Sequence, residues 1–367
     1  MIKRLELYTK NVIYGRKKGF LSLFFKSLLY PMSWIYRFVV KVRNWVYDQG
    51  WMRRYIPPVP LVISVGNIVA GGTGKTPTTL MLSKAFYGRH QLAILSRGYR
   101  SKVEKLDAPV VLCEGNGPLF PASYCGDEPY IYASRFPKAL VIVGGNRKKA
   151  ARIAAKEGVQ IILLDDAMQH RRIARDFEIV VVDGGDPFGQ GYFLPRGFLR
   201  EEISSLVRAD LIILNHIRDI QQFVDVKNQL QRYTHAPVVG TCEKVSALRE
   251  FSGSDILSLE GQKVVLLCAI AHPEYFRSTV EKLGADIVLE LPLADHDSIK
   301  TKDLEQFALR AQKLGATYIV CTEKDRVKFK DDLKLVIPIV WVQIELCIIE
   351  GLADWETFLN RAETKIY

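Results

Sequence analysis

The sequence predicts an α/β fold: a P-loop-containing parallel sheet covered by helices, with a second, smaller α/β domain. Three observations carry that prediction. A glycine-rich stretch, Ser64-Val65-Gly66-Asn67-Ile68-Val69-Ala70-Gly71-Gly72-Thr73-Gly74-Lys75-Thr76, follows the apolar run Leu61-Val62-Ile63 and leads into a helical pattern. Short apolar runs then alternate with helical stretches, as in a sheet buried on both faces. Finally, the pattern weakens around 236–255 and restarts at Lys263-Val264-Val265-Leu266-Leu267, which marks a domain boundary.

The glycine-rich stretch has the order strand, loop, Lys-Thr, helix. Glycines let backbone N–H groups close around an anion, the helix N-terminus adds its dipole, and a lysine reaches the terminal phosphates. Gly71, Gly72, Thr73, Gly74, Lys75 and Thr76 are therefore the expected nucleotide-binding residues, with the Thr76 hydroxyl in a magnesium position. The strict pattern has a glycine where this chain has Val69.

The remaining elements follow in order. Strands are expected at 61–65, 92–96, 109–113, 139–144, 160–165, 178–183 and 210–214, then at 263–269, 286–290, 317–321 and 338–343. Helices are expected at 76–87, 127–135, 146–157 and 220–232. The expected organisation is a basic N-terminal segment (1–56), a nucleotide-binding and catalytic domain (57–240), and a second α/β domain closing over the site (250–337). A return strand and C-terminal helix (338–367) complete it, placed on the first domain.

Charge is unevenly distributed. Residues 1–56 hold twelve Lys and Arg against Glu6 and Asp48, a net +10 of the chain's +11. The nearly neutral remainder lacks the basic body of a nucleic-acid binder. The basic stretch is also aromatic and apolar: Phe20 to Val40 has the length of a membrane span, but Lys26, Pro31 and Arg37 interrupt it. Contact with a membrane surface through clustered Lys/Arg and interfacial aromatics is expected, against packed core helices or a true span. Six scattered cysteines, without a C-x-x-C pair, read as reduced thiols.

Several constellations carry chemistry. The strand Ile161-Ile162-Leu163-Leu164 ends in Asp165 and Asp166, carboxylates placed where parallel strands deliver groups to a ligand crevice. Gln169 and His170 follow at the same edge. Asp183, after its own strand, is a competing metal candidate. Gly126-Asp127-Glu128-Pro129 opens a helix, and Asp127 reads equally as an N-cap or as a base accepting a hydroxyl proton. Arg97, Arg147 and Arg200 are candidate phosphate partners. Asp295-His296-Asp297 and Thr322-Glu323-Lys324-Asp325 are polar stretches of the second domain.

Taken together, SVGNIVAGGTGKTP, LSRGY, GDEP, DDAMQH, VVVDGGDPFGQGYFLPRGFLRE and the later DH and TEKD resemble the tetraacyldisaccharide 4′-kinases, the lipid A 4′-kinases of Gram-negative bacteria. The early loop without its leading glycine is a feature of that family. The resemblance implies transfer of the γ-phosphoryl group of ATP, with Mg2+, to the 4′-hydroxyl of a tetraacyl disaccharide 1-phosphate. It implies Lys75 and Thr76 on ATP and magnesium, Asp127 as base supported by His296, and Asp165 and Asp166 organising the metal. Glu128, Arg147, Gln169, His170, Arg200 and Glu201 would contact substrate or phosphate. It places the protein at the cytoplasmic face of the bacterial inner membrane. The family usually reads DDGFQH and LPAGPLREP; here Ala167-Met168 and Arg196, Phe198 and Glu202 depart from it, which bears on acceptor fit and loop shape. The alternative is a membrane-attached ATPase or nucleotide switch acting on a protein partner.

Overall fold

The computed structural model describes all residues except 1–8, 10, 11, 16, 18, 252, 271, 272, 294–296, 298, 331 and 332. A long helix, α1 (Phe20–Asp48), precedes β1 (Leu61–Gly66), α2 (Lys75–Phe86), β2 (Leu92–Ser96) and β3 (Val110–Glu114). Next come α3 (Ala122–Cys125), α4 (Asp127–Arg135), β4 (Leu140–Val143), α5 (Arg147–Lys156) and β5 (Ile161–Asp165). Then follow β6 (Phe177–Asp183), β7 (Leu211–Asn215), α6 (Ile220–Leu230), β8 (Val238–Glu250) and β9 (Asp255–Ile256). The last elements are β10 (Lys263–Cys268), α7 (Pro273–Lys282), β11 (Asp286–Pro292), α8 (Thr301–Lys313), β12 (Tyr318–Thr322), α9 (Glu323–Arg326), β13 (Ile339–Glu350) and α10 (Leu352–Glu363). The chain forms two compact units. One comprises Met1–Arg97, Asn146–Cys242 and Leu346–Tyr367; the other comprises Gly98–Gly145 and Glu243–Glu345.

In the first unit, β8, β7, β6, β1, β5 and β2 are neighbours in that order, all parallel. Their Val-, Ile- and Leu-rich sequences are buried along their whole length in β1, β2, β5, β6 and β7, as expected when both faces are covered. Parallel pairing brings all the carboxyl ends to one edge. Val65 pairs with Asp165, so the glycine-rich loop and the Asp165-Asp166 pair leave the sheet side by side. On the other flank of β1, Asp183 is in register with Asn215.

Helix α1 buries one stripe, Leu29, Ser33, Val40 and Tyr47, at four- and seven-residue spacing. It seats on the segment 193–202. The Ser33 hydroxyl donates to the Phe193 carbonyl at 2.7 Å, Tyr36 packs on the Phe193 ring, and Arg37 pairs with Glu202 at 2.8 Å. The rest of its apolar surface is open: Phe20, Leu21, Leu23, Phe24, Leu28, Trp34, Ile35 and Phe38 are all exposed. Among the described residues, no helix is long and apolar enough to cross a membrane. The last helix, α10, sets Phe358 against Phe177 of β6.

In the second unit, β11, β10, β12 and β13 are parallel neighbours. Leu304, Phe307, Ala308 and Ala311 of α8 close one face, and Phe276 and Val280 of α7 close the other. The antiparallel pair β3–β4 also belongs to this unit, together with α3, α4 and α9.

Candidate active site

The loop after β1 is tied down by its own polar residues. Asn67, fully buried, donates to the Thr73 hydroxyl at 2.8 Å and accepts from Arg200 at 3.1 Å. Its carbonyl accepts from the Gln169 amide at 2.8 Å. Val69, at the place of the absent glycine, forms an antiparallel bridge with Leu199, and the Ala70 N–H donates to the Phe198 carbonyl at 2.7 Å. The first half of the loop is thus a short strand pairing, which a β-branched residue suits; the permissive glycines are needed only afterwards. Gly74 is one of them. It has φ +90°, and a Cβ there would lie 1.9 Å from Asn215 Nδ2. Asn215 is itself buried, donating to the Thr73 carbonyl at 3.5 Å and accepting from Thr241 at 3.3 Å.

Two neighbouring carboxylates take different places. Asp165 is buried and accepts from the Ser96 hydroxyl at 2.9 Å, while its carbonyl accepts from Arg147 at 2.6 Å. Asp166 turns out of the strand in the left-handed region, φ 46°, a conformation Asp tolerates better than most residues. Its side chain stays 36% exposed, 3.7 Å from Lys75 Nζ and 2.9 Å from Arg200. Burial raises its pKa, but Lys75, Arg200 and Arg147 overcome that and hold the carboxyl well below the usual carboxylate range. Asp166 is therefore an anion at the lysine of the phosphate loop. Asp183, the competing carboxylate, has both oxygens engaged, one with His216 Nδ1 at 3.0 Å and one with the Gly185 N–H at 2.7 Å.

His170 lies among cations. Burial first, then Arg147, Arg175, Arg172 and Arg97, push its pKa from 6.5 down to about 4, so the imidazole is neutral at pH 7. Arg175 braces this turn, donating to the Ala167, His170 and Ile173 carbonyls. Glu201, one of the expected substrate or phosphate contacts, is wholly buried. It accepts from Arg43 and Asn44 of α1, each at 2.5 Å, and from Ser205 at 3.2 Å. Its place is the anchoring of α1.

In the second unit, Gly126 (φ +100°) is the N-cap of α4 and Asp127 is the first helical residue, with no side-chain cap bond at that end. The Asp127 carboxylate is 3.7 Å from Lys328 Nζ, and Glu128 is 3.6 Å from Lys324. Burial, with the Asp127 charge adding to it, pushes the neighbouring Cys125 thiol up to about 12. His296 lies outside the described residues.

For magnesium, the Thr76 hydroxyl and the Asp166 carboxylate would offer hard oxygen donors of the kind the ion takes, with Asp165 buried behind them on Ser96, and an ion held by one or two carboxylates and substrate phosphates needs no protein cage. Among the described residues there is no group of three or more His, Cys, Asp or Glu placed to hold a metal ion. The residues present fit the ion. The sequence reading did not single out Asn67, Ser96, Asn215, Arg175 or Lys328. Asn67 and Asn215 had a signal, since each sits at the carboxyl end of a buried strand.

A family model described as tetraacyldisaccharide-1-P 4′-kinase matches residues 25–363. The tetraacyldisaccharide 4′-kinase of Halothermothrix orenii is 35% identical, the match covering 98% of this chain and 99% of that protein. That of Anaeromyxobacter sp. strain K is 37% identical across 80% of this chain and 78% of its own length. Among solved structures, LpxK from Aquifex aeolicus in complex with ATP superposes with a TM-score of 0.74, covering 92% of this chain and 99% of that one. At 24% identity this last match speaks for the fold.

Proposed function

The chain belongs to the tetraacyldisaccharide-1-P 4′-kinase family, and from that premise we propose that it transfers the γ-phosphoryl group of ATP to the 4′-hydroxyl of a tetraacyl glucosamine disaccharide 1-phosphate. The observation that carries the reading is the convergence of Lys75 and Arg200 on Asp166 at the carboxyl ends of β1 and β5. A nucleotide switch acting on a protein partner is not favoured by this membership.

In this reading Gly71, Gly72, Thr73 and Gly74 wrap the phosphates with backbone N–H groups, and Lys75 moves from Asp166 toward the terminal phosphate. Thr76 and Asp166 would hold magnesium, with Asp165 behind, and the ion would supply neutralisation of phosphate charge. Arg200 holds Asp166 and Asn67 in place, so the charged groups need little reorganisation as the phosphoryl group transfers. Neutral His170 offers a hydrogen bond without adding charge. Asp127 accepts the proton of the acceptor hydroxyl, a role open to a carboxylate at the first position of a helix. The exposed apolar side of α1 with its Lys and Arg residues suits attachment to a lipid surface, which fits a lipid acceptor at the cytoplasmic face of the inner membrane.

The test is transfer of label from radiolabelled ATP to purified tetraacyl disaccharide 1-phosphate in detergent micelles. Magnesium-dependent labelling of the lipid is expected. ATP hydrolysis indifferent to the lipid, with none labelled, would refute it.

A further inference from the structure

The stretch Thr322-Glu323-Lys324-Asp325 is conspicuous in sequence, yet the proposed reaction gives it no task. Its surroundings do. From α9 and the turn after it, three ion pairs reach α4: Glu323 to Arg135 in a two-bond fork at 2.8 and 2.7 Å, Lys324 to Glu128 at 3.6 Å, and Lys328 to Asp127 at 3.7 Å. They grip the first and the last turn of the helix that begins with Asp127.

Lys328 is the best-defined of these cations. An ammonium has three N–H donors and no acceptor. Asp325 Oδ1 accepts from that of Lys328 at 3.1 Å and the Asp297 carbonyl at 3.0 Å, and Asp127 Oδ2 lies 3.7 Å from the nitrogen. Only 9% of the side chain is exposed, and an ammonium so withdrawn from water must be paired. The space beside it, between Asp325, Asp297 and Phe329, is about 10 Å³, room for one water at most.

Asp325 fixes this lysine and is itself fixed. It is 2% exposed; its oxygens accept the Ala269 N–H at 3.1 and 3.2 Å and the Thr322 hydroxyl at 2.7 Å. That hydroxyl also caps α9 by accepting the Asp325 N–H. A carboxylate held by so many donors cannot follow a neighbour that moves. Without the ammonium, Asp325 would instead face Asp127 as a second negative charge.

We propose that Lys328 is a positioning residue for Asp127: anchored by Asp325 and the Asp297 carbonyl, its ammonium fixes the direction of the carboxylate that takes the acceptor's proton. The proposal rests on Asp127 being that base. Proton transfer demands heavy-atom distances of about 2.6–3.2 Å, and a displacement of about 1 Å at a reacting group costs on the order of 100-fold in rate. At 3.7 Å the Lys328 ammonium restrains the rotamer of this carboxylate from the side of α9.

The experiment is steady-state transfer by the full-length protein in lipid micelles, comparing wild type, Lys328→Met, Asp127→Asn and the double variant. Lys328→Met should lower kcat by roughly 10- to 100-fold and leave KM for ATP within about two-fold. In the Asp127→Asn background the same change should alter kcat by less than about two-fold, because a residue acting through another has nothing left to act on. Lys328→Gln, which keeps a donor without the charge, repeats the cycle should the methionine variant fold poorly, with urea midpoints recorded for all. Equal losses in both backgrounds would show a general structural effect and overturn the proposal. An inactive Asp127→Asn beside a fully active Lys328→Met would overturn the Lys328 assignment and leave the base in place. A fully active Asp127→Asn would overturn the base, and Lys328's role with it.

Discussion

His170 gives a stability that depends on pH in a calculable way. Its pKa falls from 6.5 to about 4 on folding, through burial and four guanidinium groups. Below pH 6.5 the unfolded chain binds a proton that the folded chain refuses, so stability rises with pH. The contribution is fully present above pH 6.5 and is lost progressively as pH falls through 4. At pH 5 the loss from this residue is about 2 kcal/mol relative to pH 7.5, from the two pKa values and the linkage relation. With an m value of roughly 2–3 kcal/mol/M, that moves a urea midpoint by about 0.7–1 M. The perturbation is His170→Gln, which cannot titrate; the assay is urea unfolding of both proteins at pH 7.5 and pH 5. Other histidines and carboxylates contribute equally to both chains, so the difference between them isolates His170. Wild type should lose the larger amount. Identical losses, or a His170 imidazole resonance titrating near 6.5 in the folded protein, would refute the electrostatic reasoning.

Three other expectations are independent of it. Gly74→Ala should abolish ATP binding and lower stability, since the new methyl would meet Asn215 at a left-handed backbone position; equilibrium dialysis with labelled ATP and thermal unfolding check this, and unchanged ATP affinity would contradict the loop geometry. Asp166→Asn should weaken magnesium-dependent ATP affinity by at least about ten-fold, a change of roughly 1.4 kcal/mol, whereas Asp165→Asn, whose carboxylate is buried on Ser96, should show chiefly in the unfolding midpoint. Replacing Phe24, Trp34 and Phe38, all exposed on α1, by Ser should reduce co-sedimentation with vesicles of anionic phospholipid while leaving the melting temperature unchanged; undiminished co-sedimentation would locate lipid contact elsewhere.

The sheet was readable because its strands are buried on both faces. Strands expected at 61–65, 92–96 and 160–165 are found at Leu61–Gly66, Leu92–Ser96 and Ile161–Asp165, and the helix at 127–135 matches to the residue. Where burial is one-sided the text blurs. β8 begins with the buried Val238, Val239, Gly240 and Thr241, then is mostly exposed or half-buried apart from Leu248, so much of the weak pattern around 236–255 is one long strand, Val238–Glu250, whose residues are divided between the two units. Contacts likewise group residues 98–145 with 243–345, a partition that local periodicity does not encode. At the site, spacing brought out Lys75, Asp166 and Arg200 because glycine loops and strand ends have signatures. It gave no hint that Glu201 turns inward to α1, or that Lys328 reaches Asp127, since partners 158 and 201 positions apart are chosen by packing.

Glu201 also decides how this protein can be trimmed. Its buried carboxylate draws its two shortest hydrogen bonds from Arg43 and Asn44, so a chain cut after residue 56 would lose both and leave the charge to Arg208, at 3.3 Å, and Ser205. Losing hydrogen bonds to a charged group costs roughly 1.5–3 kcal/mol each, a large share of the stability of an ordinary domain. The long helix is therefore interior structure on one side and exposed apolar surface on the other. A version that stays dispersed without detergent is to be sought by making the outward Phe and Trp residues polar and keeping Ser33, Arg43 and Asn44, rather than by deleting the segment that carries them.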